Sequence, residues 1–355
     1  IISKVSLMKQ LPQNKHLPVK LLVACFNNTS ATYKYYWLLS IIRAIESGKT
    51  IISKRELFSG MISSAWYTVN YFHISFGKQD KLQRAIENIK GFENLTIDAS
   101  KNTIINSLIN TENPNTLKEL NYFNNQVPHW FLSPWFPGNN KSEIYRKSQD
   151  LNNRCLYALH DEFIQINLAW INYLLENASL IKDFCYWNLV IYLQVKNPNV
   201  PDIPNKLLKA ATRNSLIKQR TQFWDIVIRN LGYVSCIYTK KKLTIGDYAV
   251  EHFIPYNFVS HDLIWNLIPA DKSFNSTKSD KLPPFNKYFN GFYDLQKMAI
   301  DIIRDKEPRN KFLEDYLTIF SDIGEAGREI TKEKFRDRIQ PLITIASNNG
   351  FEFMS

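Results

Sequence analysis

Residues 250–283 read VEHFIPYNFVSHDLIWNLIPADKSFNSTKSDKLP, and they gather acid, base and amide side chains as no other part of the chain does. Glu251 and His252 are adjacent, Asn266 follows fourteen positions after His252, and Asn275 follows nine positions after that. We therefore expect the chemistry of the protein to lie in this stretch.

The sequence around this stretch predicts a hairpin followed by a helix. Residues 233–238 and 248–254 alternate like strands, and three lysines at 240–242 lie between them. Residues 275–282 are typical of a short helix, which Pro283 would end. Such an arrangement can hold one metal ion between the strands and the helix.

The side chains of this stretch suit three different chemical roles: metal ligand, general base and phosphate contact. Glu251 and Asn275 offer oxygen ligands, which Mg²⁺ and Mn²⁺ prefer. On a strand, His252 points away from Glu251 unless the backbone bends, so we expect a base beside the metal and not a ligand. An imidazole with a pKa near ~6.5 can take a proton from water. Lys278 and Lys281 can hold flanking phosphates, which suits phosphodiester hydrolysis.

This pattern resembles the HNH endonuclease motif of the ββα-metal type, and its spacing is similar to that of the HNH domain in the CRISPR effector nucleases. The resemblance covers residues 231–284. It implies that Glu251 and Asn275 bind Mg²⁺ or Mn²⁺, that His252 is the general base, and that Asn266 belongs to the catalytic set by fixing the loop through backbone hydrogen bonds.

The sequence also departs from the family pattern. Glu251 stands where Asp is commoner, and Asn275 replaces a His, which makes this a His-Asn-Asn variant. Many family members carry two CxxC zinc knuckles, but here Thr239 stands where the second cysteine of a pair begun by Cys236 would be, and Phe274 stands where a cysteine often precedes the Asn. We therefore expect no structural zinc. His261, in the connecting loop, is an alternative base, although ordering of the loop or substrate contact fits it better.

The charge of the chain favours an anionic partner. Lys and Arg number 44 against 33 Asp and Glu, a formal charge of +11, which suits nucleic acid or an acidic membrane surface without separating the two. A helix predicted over residues 206–230 is the densest basic segment, and it faces either phosphate or solvent. Its basic residues are Lys206, Lys209, Arg213, Lys218, Arg220 and Arg229. We include Arg220 among the candidate substrate contacts.

The first 200 residues are predicted to be helical, with helices over residues 29–48, after Ser53, over 81–89 and through most of 151–194. Four basic residues, Lys34, Arg43, Lys54 and Arg55, mark either a DNA-binding module or, as we prefer, an ordinary bundle with a solvated basic face. Four aromatic residues, Trp130, Phe131, Trp135 and Phe136, either stack on bases or, as we prefer, plug a hydrophobic gap between domains.

The predicted fold class is mainly α with a small embedded α+β module. We expect a helical domain at 1–200 for DNA or partner binding, a nuclease domain with its basic helix at 201–290, and C-terminal helices at 291–355. Four widely separated cysteines and the lack of a long apolar run predict a cytoplasmic protein without a membrane span.

The sequence thus predicts a metal-dependent DNA endonuclease, and the resemblance to prokaryotic HNH proteins suggests a restriction-like or anti-phage effector that can work in a defence complex. Two alternatives stay open. One is a nucleic-acid-binding subunit that is silent without a partner such as an ATPase. The other is a nuclease or toxin directed at RNA.

Overall fold

The chain divides into two compact units. A computed structural model describes residues 10–27, 29–208, 215–320 and 330–355. The N-terminal unit comprises Ile1–Pro198 with Ile203–Lys209, and the C-terminal unit comprises Asn199–Asp202 with Ala210–Ser355. Helices dominate and the strands are short, so the predicted fold class is confirmed. The predicted nuclease domain and C-terminal helices fall mostly in one unit.

The N-terminal unit is a helical bundle with one small sheet. Its helices are α1 (Val19–Ala24), α2 (Tyr33–Glu46), α3 (Lys54–Asn70), α4 (Lys81–Phe92), α5 (Lys101–Asn110), α6 (Pro114–Tyr122), α7 (Pro128–Phe131), α8 (Lys141–Ser148), α9 (Leu168–Glu176), α10 (Ala178–Lys196) and α11 (Ile203–Lys206). Its strands are β1 (Ile51–Ser53), β2 (Tyr157–Leu159) and β3 (Phe163–Ile166), in the antiparallel order β1-β3-β2.

The first three long helices confirm the sequence-based prediction. Ser53 caps α3 by accepting a hydrogen bond from the Glu56 amide at 3.1 Å, and Asp80 caps α4 in the same way. Gly48 follows α2 with φ +84°, a conformation that favours glycine and ends the helix.

The prediction of helix through 151–194 was wrong for residues 157–166. These residues form the β2–β3 hairpin, in which Ala158 pairs with Gln165. Residues of β3 alternate between half-buried and buried, so the periodicity is two and not 3.6. His160 closes the turn by donating its backbone N–H to the Phe163 carbonyl at 3.0 Å.

The four basic residues of the N-terminal unit are engaged inside it. Lys34 donates to the Cys25 carbonyl, Arg43 to the Ser64 hydroxyl and Arg55 to two backbone carbonyls of the α5 end. Lys54 is buried and donates to three oxygens. These contacts favour the ordinary bundle over a phosphate-binding face. The four basic side chains donate to protein oxygens, however, whereas we expected them to face solvent.

The aromatic segment packs mainly within the same unit. Phe131 and Phe136 are buried, and Trp135 lies edge-on against Trp170 with ring centroids 6.1 Å apart. Trp130 is exposed. Three of the four rings are thus used in packing, whereas Trp130 is still accessible.

The C-terminal unit combines two hairpins with flanking helices around one hydrophobic core. Its helices are α12 (Ile217–Gln219), continued by a π-helical turn (Arg220–Trp224), α13 (Asp225–Leu231), α14 (Tyr256–Val259), α15 (Lys272–Lys278), α16 (Phe285–Lys306) and α17 (Lys332–Asn348). Its 3₁₀ turns are Ile264–Asn266 and Lys311–Thr318, and its strands are β4 (Val234–Ser235), β5 (Lys242–Leu243), β6 (Ala249–His252) and β7 (Leu267–Ala270).

The strands pair differently from the prediction. β4 pairs with β5 across the lysine-rich turn, whereas β6 pairs with β7 across a connection that includes residues 253–266. The helix predicted over 275–282 forms only in part, as α15: it begins at Lys272, where Asp271 accepts the Ser273 amide hydrogen bond at 3.0 Å, and it ends at Lys278, before Ser279 with φ +50°. A hairpin followed by a helix is therefore present, but it is built from β6, β7 and α15.

The predicted basic helix over 206–230 is interrupted. Lys206 ends α11 and is buried, and the helical segment resumes at Ile217. Lys209 and Arg213 lie outside the described residues. Within the described residues, no helix has the length and apolar character needed to cross a membrane.

Candidate active site

The β6–β7 hairpin and α15 bring the predicted site residues into one module. Glu251 pairs with Ile268 and His252 with Leu267 across the two antiparallel strands. Only Asp271 separates β7 from α15, so the helix that carries Asn275 follows the hairpin almost without a loop.

Asn266 closes the long connection between the strands. Its side-chain amide donates to the Ile254 carbonyl and its side-chain oxygen accepts from the Ile254 amide, both at 2.8 Å. Its own carbonyl accepts from Phe253 at 2.8 Å. Asn266 is completely buried, and these backbone hydrogen bonds fit the expected role of fixing the loop, so its proposed part in catalysis is to hold the loop in position.

Glu251 forms a buried ion pair with Lys278. The Lys278 Nζ lies 2.5 Å from Glu251 Oε1, with side-chain exposures of 0% and 7%, and it donates to the His252 carbonyl at 2.9 Å. Lys278 Nζ and Glu251 Oε1 are close, but the angles between them do not meet the geometry of a hydrogen bond. The Lys278 ammonium faces a carboxylate and is inaccessible to solvent. The ammonium thus faces Glu251 in this structure, whereas a phosphate contact was expected.

The site fits a hard divalent cation. The Glu251 carboxylate already faces one cation, and Asn275 lies one helical turn before Lys278, on the same side of α15. The buried Tyr238 hydroxyl has no hydrogen-bond partner among the described residues. Burial, and then the charge of Glu251, raises the pKa of Tyr238. Glu251 and Asn275 could hold a metal ion.

The described residues do not supply a richer ligand set. No group of three or more His, Cys, Asp or Glu side chains is gathered in the described ranges. A metal at Glu251 and Asn275 would therefore take most of its ligands from water and substrate, as Mg²⁺ commonly does.

His252 is held by a carboxylate that sequence reasoning missed. Its Nε2 lies 3.0 Å from Asp262 Oδ1, and the histidine is 4% exposed. The Asp262 carbonyl accepts a hydrogen bond from the Gln219 side chain at 3.2 Å. A single Asp in a loop has no periodicity or spacing that predicts this contact.

The other predicted substrate contacts lie in different environments. His261 Nδ1 accepts from the Leu263 amide at 3.4 Å and its ring packs against Trp265, so it orders the loop. The Arg220 guanidinium lies 4.8 Å from the centre of the Tyr248 ring. Lys281 is exposed just beyond α15.

Comparison with known proteins agrees with this geometry. A model of the HNH endonuclease family matches residues 236–284, and the match confirms the resemblance for that segment. The curated proteins and the solved structures yield no match to the chain. The matched segment begins at Cys236 in the β4–β5 hairpin and ends just after α15.

Proposed function

We propose that the C-terminal unit is a metal-dependent endonuclease that hydrolyses phosphodiester bonds in DNA. The observation that supports this best is the pairing, on one hairpin, of a buried carboxylate at Glu251 with a carboxylate-held imidazole at His252. The match of residues 236–284 to HNH endonucleases supports the reaction class.

The side chains carry separate parts of the reaction. His252 takes the proton from the attacking water as general base. Glu251 and Asn275 hold Mg²⁺ or Mn²⁺, which when bound neutralises charge on the scissile phosphate and stabilises the leaving oxygen. Asn266 keeps the β6–β7 connection in place.

Two cations of the same unit, one exposed and one half-buried, hold the nucleic acid in this proposal. Lys281 is accessible and close in sequence to Asn275, so it is our first phosphate contact. Arg220 is half-buried against Tyr248, and its guanidinium is our second. The charge of +11 over the full chain supports a polyanionic substrate.

We place the protein in prokaryotic defence against foreign DNA, with the N-terminal unit as the part that binds DNA or a protein partner. In that unit the basic residues on the long helices bond to protein oxygens. This favours a protein partner over direct phosphate contact for that surface.

Supercoiled plasmid and single-stranded RNA of equal mass, each incubated with Mg²⁺, Mn²⁺ or EDTA at one salt concentration, test the substrate class. We expect nicked or linear plasmid with either metal and intact DNA in EDTA. Cleavage of RNA alone would instead support the RNA-directed nuclease. Binding of DNA without cleavage under every condition would support the subunit that needs a partner.

Asn275 offers a sharp test of the metal assignment. The Asn275→Ala change removes one oxygen ligand from a half-buried position, and the exposed Ser276→Ala change on the same helix is the matched control. We expect Asn275→Ala to need at least about tenfold more Mn²⁺ for half-maximal cleavage, a cost near 1.4 kcal/mol. An unchanged metal requirement would remove Asn275 from the ligand set.

A further inference from the structure

The contact between Asp262 and His252 carries an inference that rests on the proposed function. The two side chains meet at Asp262 Oδ1 and His252 Nε2, 3.0 Å apart, with side-chain exposures of 13% and 5%. A carboxylate accepts hydrogen bonds and an imidazole N–H donates them. Nε2 is therefore the protonated nitrogen of the neutral ring, which leaves the lone pair on Nδ1.

The loop that carries Asp262 is fixed from two sides. The Gln219 side chain donates to the Asp262 carbonyl, and Gln219 directly precedes the π-helical turn. Two residues beyond Asp262, the Ile264 amide donates to Asp315 Oδ2 at 2.8 Å. π-helical turns occur frequently at functional sites. The position of the carboxylate thus depends on elements that do not belong to the β6–β7–α15 module.

The packing around His252 restricts its ring further. The Tyr256 ring lies edge-on to it with centroids 5.5 Å apart, and the His252 carbonyl is held by Lys278. The hydrogen bond at Nε2 adds a directional contact to this packing and so helps to orient the ring.

We propose that Asp262 is the positioning residue of the nuclease site, which fixes His252 in the Nε2–H tautomer and so makes Nδ1 the nitrogen that accepts the proton from water. Asp262 does not touch substrate or metal. It acts through the orientation and tautomer of His252, as second partners of catalytic and ligating histidines do elsewhere.

The Asp262→Asn variant tests this role by activity. An amide can turn its NH₂ toward Nε2 and so favour the other tautomer. We expect kcat to fall about 10- to 100-fold, as for other supporting partners of histidine, while KM for DNA stays within about twofold, well inside the tenfold change that 1.4 kcal/mol would give. Asp262→Glu should recover part of kcat. The exposed Asp294→Asn change is the matched control. An unchanged kcat in Asp262→Asn would overturn the proposal.

Nuclear magnetic resonance tests the same role without activity. In metal-free protein labelled with ¹⁵N-histidine, the His252 ring is assigned by its loss in His252→Ala. We expect the Nε2–H tautomer in the wild type and a shift toward Nδ1–H in Asp262→Asn. A wild-type ring protonated at Nδ1 would overturn the inference. Absence of all nuclease activity would contradict the proposed function, and the tautomer would still be measured independently.

Discussion

Two buried lysines, one in each unit, show how different a buried positive charge can be. Lys54 donates to three uncharged oxygens, the Asn124 amide oxygen at 2.9 Å, the Tyr145 hydroxyl at 2.6 Å and the Asp161 carbonyl at 2.9 Å. Lys278 instead lies 2.5 Å from a carboxylate. Both residues are at most 3% exposed.

The difference separates a lysine with a structural role from a lysine at the candidate active site. Burial lowers the pKa of Lys54 to about 8, because its neighbours offer hydrogen bonds but no strong compensating charge. Its three acceptors are arranged for one ammonium. The partner of Lys278 is a negative charge, which any suitably placed cation can balance. We therefore expect Lys278 to be replaceable by a divalent metal and Lys54 not to be.

The largest expected effect comes from replacing each lysine by Met. In EDTA, Lys278→Met leaves Glu251 buried without a partner, which should lower the free energy of unfolding by about 3–5 kcal/mol. Because Mn²⁺ can take the place of the ammonium, added Mn²⁺ should restore much of the loss. Denaturant unfolding in EDTA and in Mn²⁺ measures both.

Lys54→Met is the matched control for that measurement. It leaves hydrogen-bond acceptors unsatisfied, at about 1–3 kcal/mol each if they stay dry, and Mn²⁺ should not recover this loss. If Mn²⁺ raised the free energy of unfolding of both variants by the same amount, the two lysines would not differ in the way that we infer.

A neutral buried residue of the C-terminal unit should give a somewhat smaller effect. Asn266→Ala leaves the Ile254 amide and carbonyl without their partners, which should cost about 2–4 kcal/mol from two unsatisfied backbone groups. Asn290→Ala, at an exposed position of α16, is the control and should change stability little. If the two variants had the same free energy of unfolding, the β6–β7 connection would not depend on the Asn266 hydrogen bonds.

The smallest effect is expected at the exposed lysine. Lys281→Ala should weaken DNA binding modestly and reduce the slope of log affinity against log salt by about 0.9, the value for one phosphate contact. Lys118→Ala, on the exposed side of α6, should leave the slope unchanged. Fluorescence anisotropy over a salt series measures the affinity for DNA and its slope. Equal slopes for wild type and Lys281→Ala would exclude this phosphate contact.

The sequence predicts that the candidate site residues lie in one module better than it predicts how the strands of that module pair. Glu251, His252, Asn266 and Asn275 are close in sequence, and they belong to one short module of a hairpin and a helix. The strand pairing could not be predicted, since strands of two to four residues carry too little periodicity to show their partners. The same limit applies to β2 and β3.

Burial and long-range contacts explain the remaining differences. Lys278 resembles an exposed helical lysine in sequence, and only the fold shows that it lies against Glu251. Asp262 meets His252 because the loop between β6 and β7 folds back toward the strand, a path that no local pattern indicates. Residues that contact the candidate site from a distant part of the chain are therefore harder to predict than the proximity of Glu251, His252 and Asn275.

The most direct measurement of the central claim compares plasmid cleavage by the wild type and by His252→Ala in Mn²⁺, at equal and separately verified DNA binding. His252 is the proposed general base, so its removal should slow cleavage by about 10²- to 10⁴-fold while binding stays intact. The exposed His16→Ala variant should cleave like the wild type. Equal cleavage rates for wild type and His252→Ala would contradict the account.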